Sequence, residues 1–156
     1  MSYYYSIPLV NETELAQTRA LLGAELMRVL GYFREDGARS IIQMEEALAD
    51  GSAAAMVIPA HRLKGESRQF GAHRLGDIAE TIENSARRCV ELQSEPSDVA
   101  AEIAMLRACF LDTLALLGDG GPRAAMPAPA AAPPRAPTPV AAPVTGPRAF
   151  GRRMMR

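Results

Sequence analysis

Lysine is almost missing from this chain. A single one, Lys64, stands against sixteen arginines, and tryptophan is absent altogether. Only two histidines and two cysteines occur among 156 residues. Cys89 and Cys109 are too few for a disulfide framework or a metal-binding cysteine set. Both fall at apolar positions of helical patterns, which predicts buried, reduced thiols and fits a cytoplasmic location. No apolar run approaches the roughly 20 residues of a membrane span. Met1-Ser2-Tyr3-Tyr4-Tyr5 has neither the basic flank nor the apolar core of a secretory leader. Alternating apolar and polar residues, the mark of half-buried strands, nowhere persist long enough to build a sheet.

Acidic residues are missing from one end. Residues 120–156 hold six arginines and no acid, whereas all 18 acids lie in residues 1–119, which carry a net −7. An acidic body argues against nucleic acid as a partner. Nine of the 12 prolines also fall in 120–156, among alanines. Such a stretch has little apolar bulk to bury, so 119–147 is expected to be a disordered Pro/Ala-rich linker. In polyproline geometry it would reach on the order of 90 Å. The segment 148–156, with Phe150 among arginines, reads as a basic C-terminal tail.

What is present before residue 119 is helical periodicity. Residues 1–10 are expected to form an extended lead-in whose tyrosines cover the edge of a bundle. Asn11 can cap a helix, with Glu14 placed as in a capping box. Leu15, Leu22, Leu26, Val29 and Phe33 follow at helical spacing, and Gly37 marks the expected break. Ile41, Met44, Ala47 and Leu48 continue in a second segment that ends at Asp50-Gly51. Ser52 can cap a third, in which Met56, Ala60, Leu63, Ser67 and Phe70 form an inward stripe. Pro59 either kinks that helix or begins it. After Gly71, Leu75, Ala79, Ile82, Ala86 and Cys89 define a fourth. After Ser94-Glu95-Pro96, Val99, Ile103, Leu106, Phe110, Leu114 and Leu117 define a fifth. The expected fold over 11–118 is all-α: an antiparallel four-helix bundle with an additional N-terminal helix.

Beside the inward stripe of the third helix, His61, Lys64, Gly65 and Arg68 share the face turned to solvent. A solvent-facing imidazole offers a nucleophilic nitrogen near neutral pH. Lys64, one turn on, can meet a phosphoryl group as a point charge. Gly65 leaves room for another protein to approach, and Arg68 extends the positive patch. These features suit phosphoryl transfer, in which positioning and charge neutralisation dominate. No serine or cysteine partner makes His61 part of a hydrolytic triad. His61 and His73, 12 residues apart across a glycine, match no familiar metal-ligand spacing, and no metal site is expected. His73 reads as a surface residue.

The run Ala60-His61-Arg62-Leu63-Lys64-Gly65, followed by Gly71-Ala72 ten residues after the histidine, resembles the signature of histidine-containing phosphotransfer (HPt) domains. Leu22-Gly23 through Phe33 resembles the family's first core helix, and Leu75 through Ile82-Glu83 resembles its following segment. The resemblance implies that His61 accepts a phosphoryl group, that Lys64 steadies it and that Gly65 permits docking of a receiver. It further implies that Glu83 lies beside the imidazole and orients it. Arg62, Gln69 and Arg68 become candidate receiver contacts. Pro59 and the run Glu66-Ser67-Arg68-Gln69 depart from the family pattern, and Glu66 and Arg68 are placed to tune which partner docks. The implied protein is a cytoplasmic, monomeric phosphocarrier rather than an enzyme. Its partners would be receiver domains of response regulators and hybrid histidine kinases. It needs no cofactor of its own, since Mg²⁺ belongs to the receiver. The alternative is an adaptor that docks receivers or kinases through the bundle and basic tail, independently of phosphorylation.

Overall fold

The structure is a computed structural model and describes residues 2–118. The linker at 119–147 and the tail at 148–156 lie outside the described residues. Among the described residues six helices follow one another: α1 (Ser2–Ser6), α2 (Glu12–Leu22), α3 (Leu26–Ala49), α4 (Ala53–Gln69), α5 (His73–Leu92) and α6 (Ala100–Leu117). Short 3₁₀ turns at Gly23–Glu25 and Ser97–Val99 lead into α3 and α6. No strand occurs among the described residues, and no helix among them is long and apolar enough to cross a membrane.

The four long helices pack in a ring, α3 on α4, α4 on α5, α5 on α6 and α6 back on α3, with α4 and α5 the most intimate pair. The inward stripes are those the periodicity marks. Met56, Ala60, Leu63 and Ser67 of α4 and Phe70 just past its end are buried, as are Leu75, Ala79, Ile82, Ala86 and Cys89 of α5. Phe33 lies between Phe70 and Phe110, its ring centroid 5.2 and 5.5 Å from theirs. The one polar member of the α4 stripe, Ser67, donates its hydroxyl to the Leu63 carbonyl at 2.6 Å, which satisfies it inside the core. Both cysteines are free and buried, and burial pushes the Cys109 thiol up to about 11.

Four expectations are corrected. The first break after Asn11 comes at Gly23, not Gly37. Gly23 has φ of +53°, a positive value that favours glycine, and its N–H closes α2 on the Arg19 carbonyl. Gly37 lies inside α3, where a Cβ would meet the Phe110 ring at 2.6 and 2.8 Å. It is there for close helix approach rather than for a turn.

The second correction concerns Pro59, which does not begin α4: the helix starts at Ala53 and Pro59 lies inside it. Ser52 caps the helix by accepting from the Ala55 N–H, and α4 runs on through the proline. The lost hydrogen bond falls on the Ala55 carbonyl, one turn back.

Residues 2–6 are helical rather than extended. Tyr4 turns inward and donates its hydroxyl to Thr81 Oγ1 at 2.9 Å. The Arg74 guanidinium satisfies the carbonyls of Ile7 and Tyr5 at 2.7 and 3.3 Å, which caps the short helix from α5. Asn11 caps α2 through its side chain, but its backbone N–H goes to the Gly71 carbonyl instead of closing a capping box.

Candidate functional site

The face of α4 that leads away from the core carries His61, with its side chain 65% exposed. One turn on, Gly65 is exposed, and a Cβ there would meet nothing within 4 Å. Across from this face runs α5. Gly76 brings the two helices close, for a Cβ on it would meet Arg68 Cγ at 3.2 Å. The charged α5 side chains that face α4 are three acids and then a base, Asp77, Glu80, Glu83 and Arg87, at the three- and four-residue spacings of one helical face.

Glu83 is the centre of the arrangement, and its side chain is only 4% exposed. Oε1 lies 2.9 Å from His61 Nδ1, and accepts from Arg87 Nε at 3.1 Å and Arg87 Nη2 at 2.7 Å. Oε2 has the Lys64 ammonium at 2.7 Å. Burial alone would raise the proton affinity of this carboxyl. The hydrogen bonds from Lys64, Arg87 and His61 together outweigh burial and lower its pKa to about 2. Glu83 is therefore ionised and can only accept. The His61 nitrogen facing it must carry the proton, so the neutral ring has Nδ1–H and leaves Nε2 with its lone pair on the exposed side.

Further along, Glu80 Oε1 is 3.8 Å from Lys64 Nζ, and Glu80 Oε2 accepts from Arg68 Nη2 at 2.7 Å. Arg68 also reaches Asp77 Oδ1 at 3.3 Å. These pairings, led by the hydrogen bond to Glu80, hold the Arg68 guanidinium above its ordinary range.

The structure thus brings His61, Lys64 and Glu83 into one cluster, with Arg68 at its end. Two features differ from the sequence reading. Lys64 is half-buried between the helices instead of standing out in solvent, and Arg68 is matched by acids, so the expected positive patch is close to neutral. Arg62 and Gln69 are exposed on α4 but make no side-chain contact with the cluster, and the Gln69 carbonyl accepts from Thr18. Glu66 is directed toward α3, where burial and then Asp36 raise its carboxyl above the usual range while Arg62 lowers it. His73 lies at the start of α5 and bonds Glu14 Oε2 at 2.7 Å, which ties α5 to α2. Glu80 and Arg87 were not singled out by the sequence. Their only signal is position, three before and four after Glu83 on one helical face.

A family model described as the Hpt domain matches residues 28–116, more than half of the chain. No curated protein and no solved structure matches it. The match begins in the first turn of α3 and ends in the last turn of α6, so it takes in all four long helices and the whole cluster around His61. It leaves α1 and α2 outside. The chain therefore belongs to the Hpt domain family, whose members are phosphocarriers that serve histidine phosphotransfer between kinase and receiver partners of two-component phosphorelays.

Proposed function

We propose that His61 Nε2 accepts a phosphoryl group from the aspartyl phosphate of a receiver domain and passes it to the aspartate of another. The observation that carries this is the exposed imidazole held through Nδ1 by a buried, ionised carboxylate. The Nε2 lone pair forms the N–P bond while the O–P bond to the aspartate breaks, its electrons going to the leaving carboxylate. No proton has to move. The ring keeps its Nδ1–H and gains positive charge, and Glu83 faces that charge at hydrogen-bond distance. The reverse step returns the phosphoryl group and restores the neutral ring.

In this reading Lys64, one helical turn from His61, offsets negative charge on the phosphoryl group, and Arg68 does so from a turn further. Gly65 gives the receiver room to bring its aspartate in line with Nε2, while Arg62 and Gln69 flank the docking face. The receiver supplies Mg²⁺ and most of the electrostatic stabilisation. The chain itself needs no cofactor and has no kinase or hydrolase role. The ring of α3 to α6 is an antiparallel four-helix bundle, with α1 and α2 added at one end. The protein acts as a cytoplasmic monomer.

Incubating the chain with a phosphorylated, radiolabelled receiver domain tests the assignment. Label is expected on the wild type and absent from His61→Gln. Transfer to His61→Gln at the wild-type rate would place the acceptor elsewhere.

A further inference from the structure

Around His61 the charges are matched one for one. Lys64, Arg68 and Arg87 face Asp77, Glu80 and Glu83 through contacts of 2.7 to 3.8 Å. A phosphoryl group on Nε2 would bring close to two negative charges into this balanced set. On this α4–α5 seam each cation that could meet it is already held by an acid. Arg87 is committed, because two of its N–H groups converge on Oε1 of a carboxylate that is buried and cannot turn into water. The cations that can respond are the two carried by α4, Lys64 and Arg68. They follow His61 at three and seven residues, which puts them on one stripe of the helix.

Glu80 is the one acid that faces both. Its two oxygens are divided between them, Oε1 toward Lys64 at 3.8 Å and Oε2 on Arg68 at 2.7 Å. Unlike Glu83, with its 4% exposure, the Glu80 side chain is 39% exposed and can release its partners to solvent at little cost. The Glu80 carboxylate also stands on the same α4–α5 seam as the phosphoryl group would, so it opposes that charge directly.

Taking His61 as the phosphoryl acceptor, we propose that Glu80 is a positioning residue that holds Lys64 and Arg68 in reserve. It competes with the phosphoryl group for them, and so sets how far the transfer equilibrium lies toward phosphohistidine. Removing its charge leaves both cations to the phosphoryl group and removes one repulsion. Removing one unit charge that opposes a dianion in a water-rich setting is expected to raise the equilibrium constant by about three- to tenfold. Salt should shrink it, since the group is exposed and lies within reach of mobile ions.

The experiment mixes the full chain with an equal amount of radiolabelled phospho-receiver, chosen from a panel for wild-type transfer, and reads the partition of label at equilibrium. Wild type, Glu80→Gln and Glu80→Asp are compared at low and high salt, with thermal melts to show that each is folded. Glu80→Gln is expected to shift the partition toward His61 by about three- to tenfold at low salt and by less at high salt. Glu80→Asp, which keeps the charge, is expected to stay near wild type. An unchanged or lowered partition in Glu80→Gln overturns the proposal, and the lowered case would make Glu80 a strut that aims Arg68. A rise in Glu80→Asp equal to that in Glu80→Gln overturns it as a charge effect. A wild-type chain that takes label from no receiver overturns the assignment of His61, and this proposal falls with it.

Discussion

Glu83 is a carboxylate that one would not choose to bury, and it is stable there because three donors meet it. Lys64 occupies one oxygen, and Arg87 and His61 share the other. The balance has a pH signature. With its pKa lowered to about 2 in the folded chain, Glu83 contributes stability in full above the unfolded carboxylate range, near pH 4.3. That contribution is lost as pH falls toward 2. Its size is on the order of 3 kcal/mol. Glu83→Gln mimics the protonated side chain, so it should melt well below wild type at pH 7 and approach wild type as the solution is acidified. Thermal melts of both proteins across that range check this, and a gap independent of pH would show that packing, not charge, holds Glu83. At this scale the sequence was partly legible. His61, Lys64 and Gly65 stand in a contiguous motif, and Glu83 follows at the family's spacing. Glu80 and Arg87 were not legible, because a charged residue on the outer face of an amphipathic helix reads as a solvated charge until the opposite helix is in view.

Helices α4, α5 and α6 were legible because their apolar stripes are long and their ends carry Ser52, Gly71 and Pro96. The break between α2 and α3 was misplaced because three glycines, Gly23, Gly31 and Gly37, were available for one turn, and sequence does not say which one takes it. Gly23 does, at a positive φ; Gly31 is as open but stays helical, and Gly37 is helical with the Phe110 ring beside it. This gives the opposite of what helix propensity predicts for Gly37→Ala. In an open helix the change would add about 1 kcal/mol of stability. Here the new methyl must displace a buried ring already packed on Phe33, at a cost of about 1–3 kcal/mol. Thermal denaturation should show a net loss, with label transfer per folded molecule unchanged because His61 is on another helix. The short α1 was illegible for a related reason. Five residues cannot nucleate a helix by themselves, and what holds this one is Arg74 from α5 and the burial of Tyr4.

In the whole molecule, the family match accounts for α3 to α6, and the segment before it is fastened to that body at several points. Arg74 holds the Tyr5 and Ile7 carbonyls at the end of α1, and the Asn11 N–H bonds the Gly71 carbonyl at 2.8 Å. Thr18 donates to the Gln69 carbonyl at 2.9 Å, Arg19 to the Leu117 carbonyl at 3.2 Å, and Glu14 meets His73. Gly71 suits this contact twice over, through its φ of +71° and because a Cβ would come within 3.0 Å of the Asn11 carbonyl oxygen. The bonds of Asn11, Glu14, Thr18 and Arg74 fall on the α4–α5 turn or the first turn of α5, Arg19 meets the end of α6, and Tyr4 reaches Thr81 further along α5 without touching the His61–Glu83–Lys64 contacts. Tyr4, Val10 and Leu15 also join the core, each worth about 2 kcal/mol of burial before the entropy of ordering the segment is subtracted. Residues 1–25 are thus expected to be a brace for the end of the bundle rather than a part of the transfer machinery. Deleting them should lower the melting temperature by on the order of 10 °C. The rate of label uptake by His61, measured at a temperature where the shortened chain is still folded, should stay within about twofold of the full chain, because the contacts of Glu83 with His61, Lys64 and Arg87 involve none of the deleted residues. A shortened chain that keeps its helical signal but no longer takes label would instead place α1 and α2 in the docking face.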